Sequence, residues 1–340
     1  MRRGVSYFGN RIVRHFEEDL EDMKQKDCNL VIHAVSEGDL EYYKDTMKDM
    51  IKLTKEKKME VWASPWKLCG IFGGETYTKK TLKNYRLRQV NNQGINVPAL
   101  CLNKKGTKKL IKEWVDELAD FGVDYILWDE PHFYGNPEKV WQRWCCKCKA
   151  CRRLYREQYK KEMPSTFTKK VKEFRETSMY KFIYEMTGYA KKKGLKVAVV
   201  FTPHDMDNAE RISKIKGVDI ITADPYWGYK GKEPRKDKKG SYFYCDSELN
   251  VKDFITPYTK KMVELGQKYK KDVLMWVQAF CIAKGTEEDV RTAIKTFKEL
   301  GVDDIAVWGY EGCKHMSYLC CDDSDKVWNL IGEAYRKISE

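Results

Sequence analysis

The sequence predicts a (β/α)8 barrel, and three observations carry that reading. Short apolar runs rich in β-branched and aromatic residues alternate eight times with charged amphipathic segments along 340 residues, the length and order of a parallel barrel. Two helix-to-strand junctions nearly repeat, FGVDYILW at Phe121 to Trp128 and LGVDDIAVW at Leu300 to Trp308. In each a glycine ends the helix and the strand starts two or three residues later, a tight connection. The structural alternative is a doubly wound open sheet, but no GxGxxG loop follows the first apolar run.

In chain order, the first run is Val5 to Phe8, followed by a helix from Val13 to Lys26; the second is Asn29 to Val35, followed by Leu40 to Lys57. The third, Met59 to Ala63, leads into Ser64 to Leu102, which has no clean period and reads as loop structure. A helix from Thr107 to Phe121 feeds the fourth run, Val123 to Trp128, which is apolar enough to be buried on both faces. A cysteine-rich loop and a long helix, Lys169 to Lys193, precede the fifth run, Leu195 to Phe201. The last three are Val218 to Ala223, Val273 to Phe280 and Asp304 to Trp308. One barrel domain is expected over 1–340, with insertions at about 64–102, 133–168 and 228–250.

Composition narrows the class. With 42% hydrophobic and 13% aromatic residues the chain can bury a large core, which excludes disorder. A net charge of +13, carried by lysine runs such as Lys191 to Lys193, reads as a solvated basic face. No nucleic-acid module accompanies it. No stretch is long and apolar enough for a membrane span, and no signal peptide follows Met1, so a cytoplasmic protein is expected unless a leader has been removed. Twelve cysteines in such a chain indicate thiols and metal ligands over a disulfide framework.

In a parallel barrel the chemistry sits at the carboxyl ends of the strands. The fourth run ends in Asp129, Glu130, Pro131, His132. The other ends supply Tyr7 and Arg11, His33, Trp66, His204, Asp224 with Tyr226 and Trp227, Trp276 with Gln278, and Trp308 with Tyr310 and Glu311. Carboxylates and large aromatics dominate. Sugar rings stack their C–H faces on indole and phenol rings while their hydroxyls take carboxylate, amide and imidazole partners. Glycosidic cleavage needs one acid to protonate the leaving oxygen and a second carboxylate to attack or to activate water. Glu130, Asp129, Asp224 and Glu311 are the candidates; Tyr7, Arg11, His33, Trp66, His132, His204, Tyr226, Trp227, Trp276, Gln278, Trp308 and Tyr310 are the expected substrate contacts.

Cys146, Cys148 and Cys151 form a CxCxxC run, with Cys101 upstream. Four thiolates make a closed tetrahedral zinc site that is structural, with no open position for catalysis. No catalytic cofactor is expected. Cys28, Cys69, Cys245, Cys281, Cys313, Cys320 and Cys321 read as packing thiols.

The centre of the chain resembles the glycoside hydrolase barrels of the clan that includes the family 42 β-galactosidases. There an Asn-Glu-Pro-like segment ends the fourth strand, and a CxCxxC loop joins an earlier cysteine to bind zinc. Asp129, Glu130, Pro131 stand at the matching place, which implies Glu130 as general acid/base and the four cysteines as the zinc ligands. The family's seventh-strand nucleophile is not matched: VLMWVQAF offers Gln278. The partner of Glu130 is therefore sought in Asp224 or Glu311, with Asp129 and Asp224 as the second pairing. A carbohydrate-binding barrel without turnover is the alternative, and a metal-dependent hydrolase using His33, His132, His204 and Asp224 a third. The sequence leaves oligomeric state open.

Overall fold

The computed structural model describes residues 1–135, 143–203, 206–228 and 250–340, the side chain of Asp207 excepted. Ten strands are found there: β1 (Arg3–Tyr7), β2 (Leu30–Ala34), β3 (Glu60–Ser64), β4 (Arg88–Val90), β5 (Asn96–Leu100), β6 (Tyr125–Trp128), β7 (Lys196–Phe201), β8 (Ile220–Ala223), β9 (Asp272–Gln278) and β10 (Asp304–Trp308). Eight close into a barrel in the order β1-β10-β9-β8-β7-β6-β3-β2, every pair parallel. The (β/α)8 expectation holds, with each apolar run at its barrel strand. The remaining two form an antiparallel pair inside the segment read as loop.

Helices α1 (Val13–Gln25), α2 (Glu37–Tyr42), α3 (Lys44–Glu56), α4 (Lys79–Lys83), α5 (Lys105–Phe121), α6 (Lys149–Tyr159), α7 (Lys169–Lys192), α8 (Met206–Ser213), α9 (Val251–Tyr269), α10 (Glu288–Glu299) and α11 (Ser324–Ser339) complete the described elements. The helix expected over Leu40 to Lys57 is two helices broken at Tyr43. Ser36 explains the early start. Its hydroxyl accepts from the Asp39 N–H while Asp39 accepts from the Ser36 N–H, a capping box that starts α2 at Glu37. None of the described helices is long and apolar enough to cross a membrane.

Strand periodicity sorts the core into two layers. Leu30, Ile32, Trp62, Tyr125, Leu127, Ala198, Val200, Ile220, Leu274, Trp276 and Ala306 fill the barrel interior. Alternate residues of the same strands, Val5, Tyr7, Val31, Val61, Ile126, Val199 and Ile305 among them, pack beneath the helices. Each such aliphatic side chain taken from water stabilises the fold by roughly 1.5–3 kcal/mol. At the amino-terminal end of the barrel Arg2 bridges Glu60 at 2.7 Å and Asp304 at 2.6 Å and donates to Tyr125 Oη at 3.0 Å. The carboxyl ends of the strands lie at the opposite mouth.

Candidate active site

The site grows out of the end of β6. Trp128 faces outward, donating from Nε1 to Thr187 Oγ1 on α7 at 3.3 Å, so alternation returns Asp129 to the interior. Asp129 Oδ2 accepts the Ser64 hydroxyl at 3.0 Å. Glu130 then takes a left-handed φ of 40°, a conformation a non-glycine residue keeps only when its surroundings hold it. The surroundings do. The Gly73 N–H donates to the Asp129 carbonyl at 3.1 Å, the His132 N–H to the Ile71 carbonyl at 2.9 Å, and His132 Nδ1 lies 2.7 Å from the Glu130 carbonyl. A carbonyl only accepts, which assigns that proton to Nδ1. The loop after β3 is thereby sewn to the turn that presents the acids.

Gly73 sets the close approach. A Cβ there would lie 3.0 Å from Glu130 Oε2 and 3.3 Å from Asp129 Oδ2. Asp224, from the end of β8, is 4% exposed, its Oδ1 meets no donor among the described residues, and its carboxyl lies close enough to Glu130 to feel its charge. Burial first, then the charge of Glu130, pushes the Asp224 carboxyl well above the ordinary range. Burial and the Glu130 charge likewise raise Asp129 to about 7, with Ser64 and Lys67 pulling the other way. Glu75, on the loop after β3, is raised by burial and Glu130 and lowered by Lys67. Neighbouring carboxyls that cannot all ionise hold protons near neutrality, the condition for acid catalysis.

Aromatic rings wall this cluster. Phe8 lies 5.1 Å from Trp66 and 4.9 Å from Trp308, between centroids. Tyr226 meets the Phe280 ring edge-on at 5.0 Å, and Trp276 lies 6.2 Å from Trp308. Trp276 is fixed by donating to Thr222 Oγ1 at 2.9 Å, whereas the buried Trp66 Nε1 has no acceptor among the described residues. Gln278 is 0% exposed and held at both ends of its amide: Oε1 accepts the Gly228 N–H at 2.8 Å, and Nε2 donates to the Phe280 carbonyl at 3.0 Å. It stands at the matched seventh-strand position as a brace of the pocket wall.

Several expected contacts lie elsewhere. Tyr7 and His33 face the helices: Tyr7 donates to Asp19 Oδ2 at 2.6 Å, and His33, 0% exposed, pairs with Thr54 Oγ1 on α3 at 3.1 Å. Burial lowers His33 to about 3, so it stays neutral. Arg11 is a strut, holding Asp39 at 2.6 Å. Tyr310 packs on Tyr7 and Trp328, and Glu311 faces His315 at 3.5 Å. Trp227 is buried in the outer layer, and His204, like Cys245, lies outside the described residues. Asp129, Glu130, Asp224, His132, Trp66, Tyr226, Trp276 and Trp308 are the expected residues that gather at the mouth. Of the histidine metal set, His33 is across the strand from Asp224's side of the barrel and His204 lies outside the described residues; among the described residues one group alone, of cysteines, has its ligand atoms close enough to hold an ion.

That group is Cys101, Cys146, Cys148 and Cys151, all buried, with ligand atoms within 4.8 Å of one another. Cys101 Sγ lies 3.5 Å from Cys151 Sγ and 3.7 Å from Cys148 Sγ, and Asn103 Nδ2 donates to Cys151 Sγ at 3.3 Å. The donor set fits a structural tetrahedral ion, which would pin α6 to the end of β5.

Sequence reasoning missed Ser64, Lys67, Gly73, Glu75 and Phe8. For Ser64 a signal existed: two residues beyond the inward Trp62, it had to face the interior. The others sit on loops, where side-chain direction has no period.

No family model matches the chain, and no curated protein matches it. Solved structures do. A GH20 exo β-N-acetylglucosaminidase from Vibrio harveyi is similar with a TM-score of 0.58 at 11% identity, over 98% of this chain and 53% of that one. An endo-β-1,4-glucanase from Xanthomonas axonopodis pv. citri has a TM-score of 0.55 at 11% identity, over 100% and 99%. A D-psicose 3-epimerase from Clostridium cellulolyticum H10 reaches 0.50 at 7%, over 100% and 97%. At such identities the likeness is one of fold, a barrel shared with glycoside hydrolases and sugar epimerases.

Proposed function

We propose that the chain is a carbohydrate-acting enzyme of the glycoside hydrolase type, with Glu130 as general acid/base. The observation that carries this reading is the convergence of Asp129, Glu130 and Asp224 at the carboxyl ends of the strands, with Tyr226 and Trp66 close by. Glu130 protonates the leaving oxygen as the glycosidic bond breaks. Asp224 partners it, with the sugar entering between the two carboxyls. Asp129, braced by Ser64, is the alternative partner. The enclosed aromatic faces hold the sugar ring and keep water from the acids.

A zinc ion at Cys101, Cys146, Cys148 and Cys151 belongs to the same reading as a structural element. It supplies loop rigidity and no step of the reaction.

The second reading, a sugar-binding barrel without turnover, is favoured by one observation: Gln278 is locked at the place where related barrels are expected to keep a nucleophile. Hydrolysis of an aryl glycoside and oligosaccharide panel by the wild type and Glu130→Gln separates the two. A loss of at least ~100-fold in the variant, with folding intact, is expected of a missing general acid. Binding of a glycan by both proteins with cleavage by neither overturns the enzymatic reading.

A further inference from the structure

The protein carries a formal charge of +13, yet the pocket is acidic. Lysines of the outer helices such as Lys52, Lys109, Lys252 and Lys295 have side chains 58–79% exposed, each facing a glutamate across its own helix or the next. At physiological ionic strength such charges are screened within about 8 Å, so they say little about the interior of the mouth.

Inside the mouth the balance reverses. From β6 come Asp129 and Glu130, from β8 Asp224, and from the loop after β3 Glu75; each of the other three carboxyls feels the Glu130 charge. Tyr226 and, behind it, Cys313 add no positive charge. The cations facing this set, among the described residues, are Lys67, which acts on Asp129, Glu75 and His132, and Arg175, which acts on His132 from behind. Arg175 is itself stacked over Phe133 and Phe167 at 5.3 and 5.4 Å, directed into that aromatic nest. His132 donates Nδ1–H to the Glu130 carbonyl, and Lys67 holds it toward its neutral form.

Two further observations bear on the ligand. Asp224 Oδ1 is buried and meets no donor among the described residues, so a donor on a ligand would satisfy it. The Tyr226 ring, which neighbours Asp224, and the Trp66 ring, against Gly74, present π faces, which attract positive and repel negative charge.

Resting on the carbohydrate reading above, we propose that this pocket takes neutral or amino-bearing sugars and rejects uronic and sulfated ones, against the sign of the whole chain. A carboxylate or sulfate on the ring would be driven against Glu130 and Glu75 with Lys67 already shared. An ammonium would find the Glu130 charge and a π face.

The test is calorimetric binding at pH 7.5 and low salt, using matched disaccharide trios built on glucose, galactose and mannose. The members of a trio differ only in a neutral, a 2-amino or a 6-carboxylate terminal ring. In each trio that binds, the uronate is expected to be weaker than the neutral sugar by about tenfold or more, and the amino sugar at least as tight as the neutral one. Glu130→Gln, and separately Glu75→Gln, are expected to narrow the gap between uronate and neutral sugar. A uronate that binds within about threefold of its neutral counterpart, or tighter, overturns the proposal and leaves the carbohydrate reading standing. Binding of no member of any trio overturns both.

Discussion

Ser64 donates its hydroxyl hydrogen to Asp129 Oδ2 at 3.0 Å, and through that bond β3 braces the acid presented by β6. The bond favours the ionised carboxylate, while burial and Glu130 oppose it more strongly and leave Asp129 at about 7. Ser64→Ala removes the favouring contribution. The Asp129 titration, followed by the infrared carboxyl band against Asp129→Asn as blank, is expected to move upward.

The same shift links to stability. Asp129 is raised above its unfolded value of 3.8, so its neutral form stabilises the native state fully below about pH 4, and that contribution is lost as pH rises through about 7. Asp129→Asn keeps a neutral group at all pH values. Relative to wild type, the variant is therefore expected to gain in melting temperature between pH 5 and pH 8. Thermal unfolding at the two values checks this, and a relative gain at the acid end would contradict the assignment.

Much of this site was legible in the sequence where strand period governed it. The β6 run ended in Asp129 and Glu130, and β8 in Asp224; all three arrived at the mouth. Period also explains the errors. Tyr7 and His33 are odd-numbered neighbours of the inward Ser6 and Ile32, so alternation sends them outward. Reading strand ends as pocket residues without that parity placed them in the wrong layer. Glu311 failed for another reason: φ values of 47° and 58° at Glu311 and Gly312 turn the chain away from the mouth, and no sequence pattern announced that. Lys67 and Gly73 reach the acids only because the loop after β3 folds back by backbone hydrogen bonds, a tertiary event.

Gly73 offers the sharpest geometric test. Its φ is not left-handed, so alanine adds no backbone strain there, but the new Cβ would press on Glu130 Oε2 at 3.0 Å. Gly73→Ala is expected to displace the Glu130 carboxyl by a few tenths of an ångström. Turnover should fall by ~10-fold while the melting temperature changes little, since small misplacements of reacting groups cost up to ~100-fold. Steady-state kinetics beside calorimetry measures both.

Restoring a glutamate at the matched seventh-strand position is expected to fail. Gln278→Glu removes the donor to the Phe280 carbonyl and sets a buried carboxylate against it. Leaving such a group without its donor costs roughly 1–3 kcal/mol, more when it is charged. The variant should lose stability in urea unfolding and gain no activity. An increase in turnover would show instead that Gln278 is a replaced nucleophile with room to act.

The cysteine centre yields the last prediction. Cys101 stands at the end of β5, Cys146 and Cys148 before α6, and Cys151 in its first turn, so one ion would join segments about 50 residues apart in sequence. Such closure restricts the unfolded chain and fixes a loop that otherwise relies on contacts such as Trp144 Nε1 to the Ser165 carbonyl at 3.2 Å. Elemental analysis of the purified protein is expected to find one zinc per chain, and Cys148→Ser to lose it. In that variant, proteolysis should open the segment around 143–165 first, while the far-ultraviolet spectrum of the barrel persists. Zinc-free protein with wild-type proteolytic resistance would show that the four thiols are packed for their own sake.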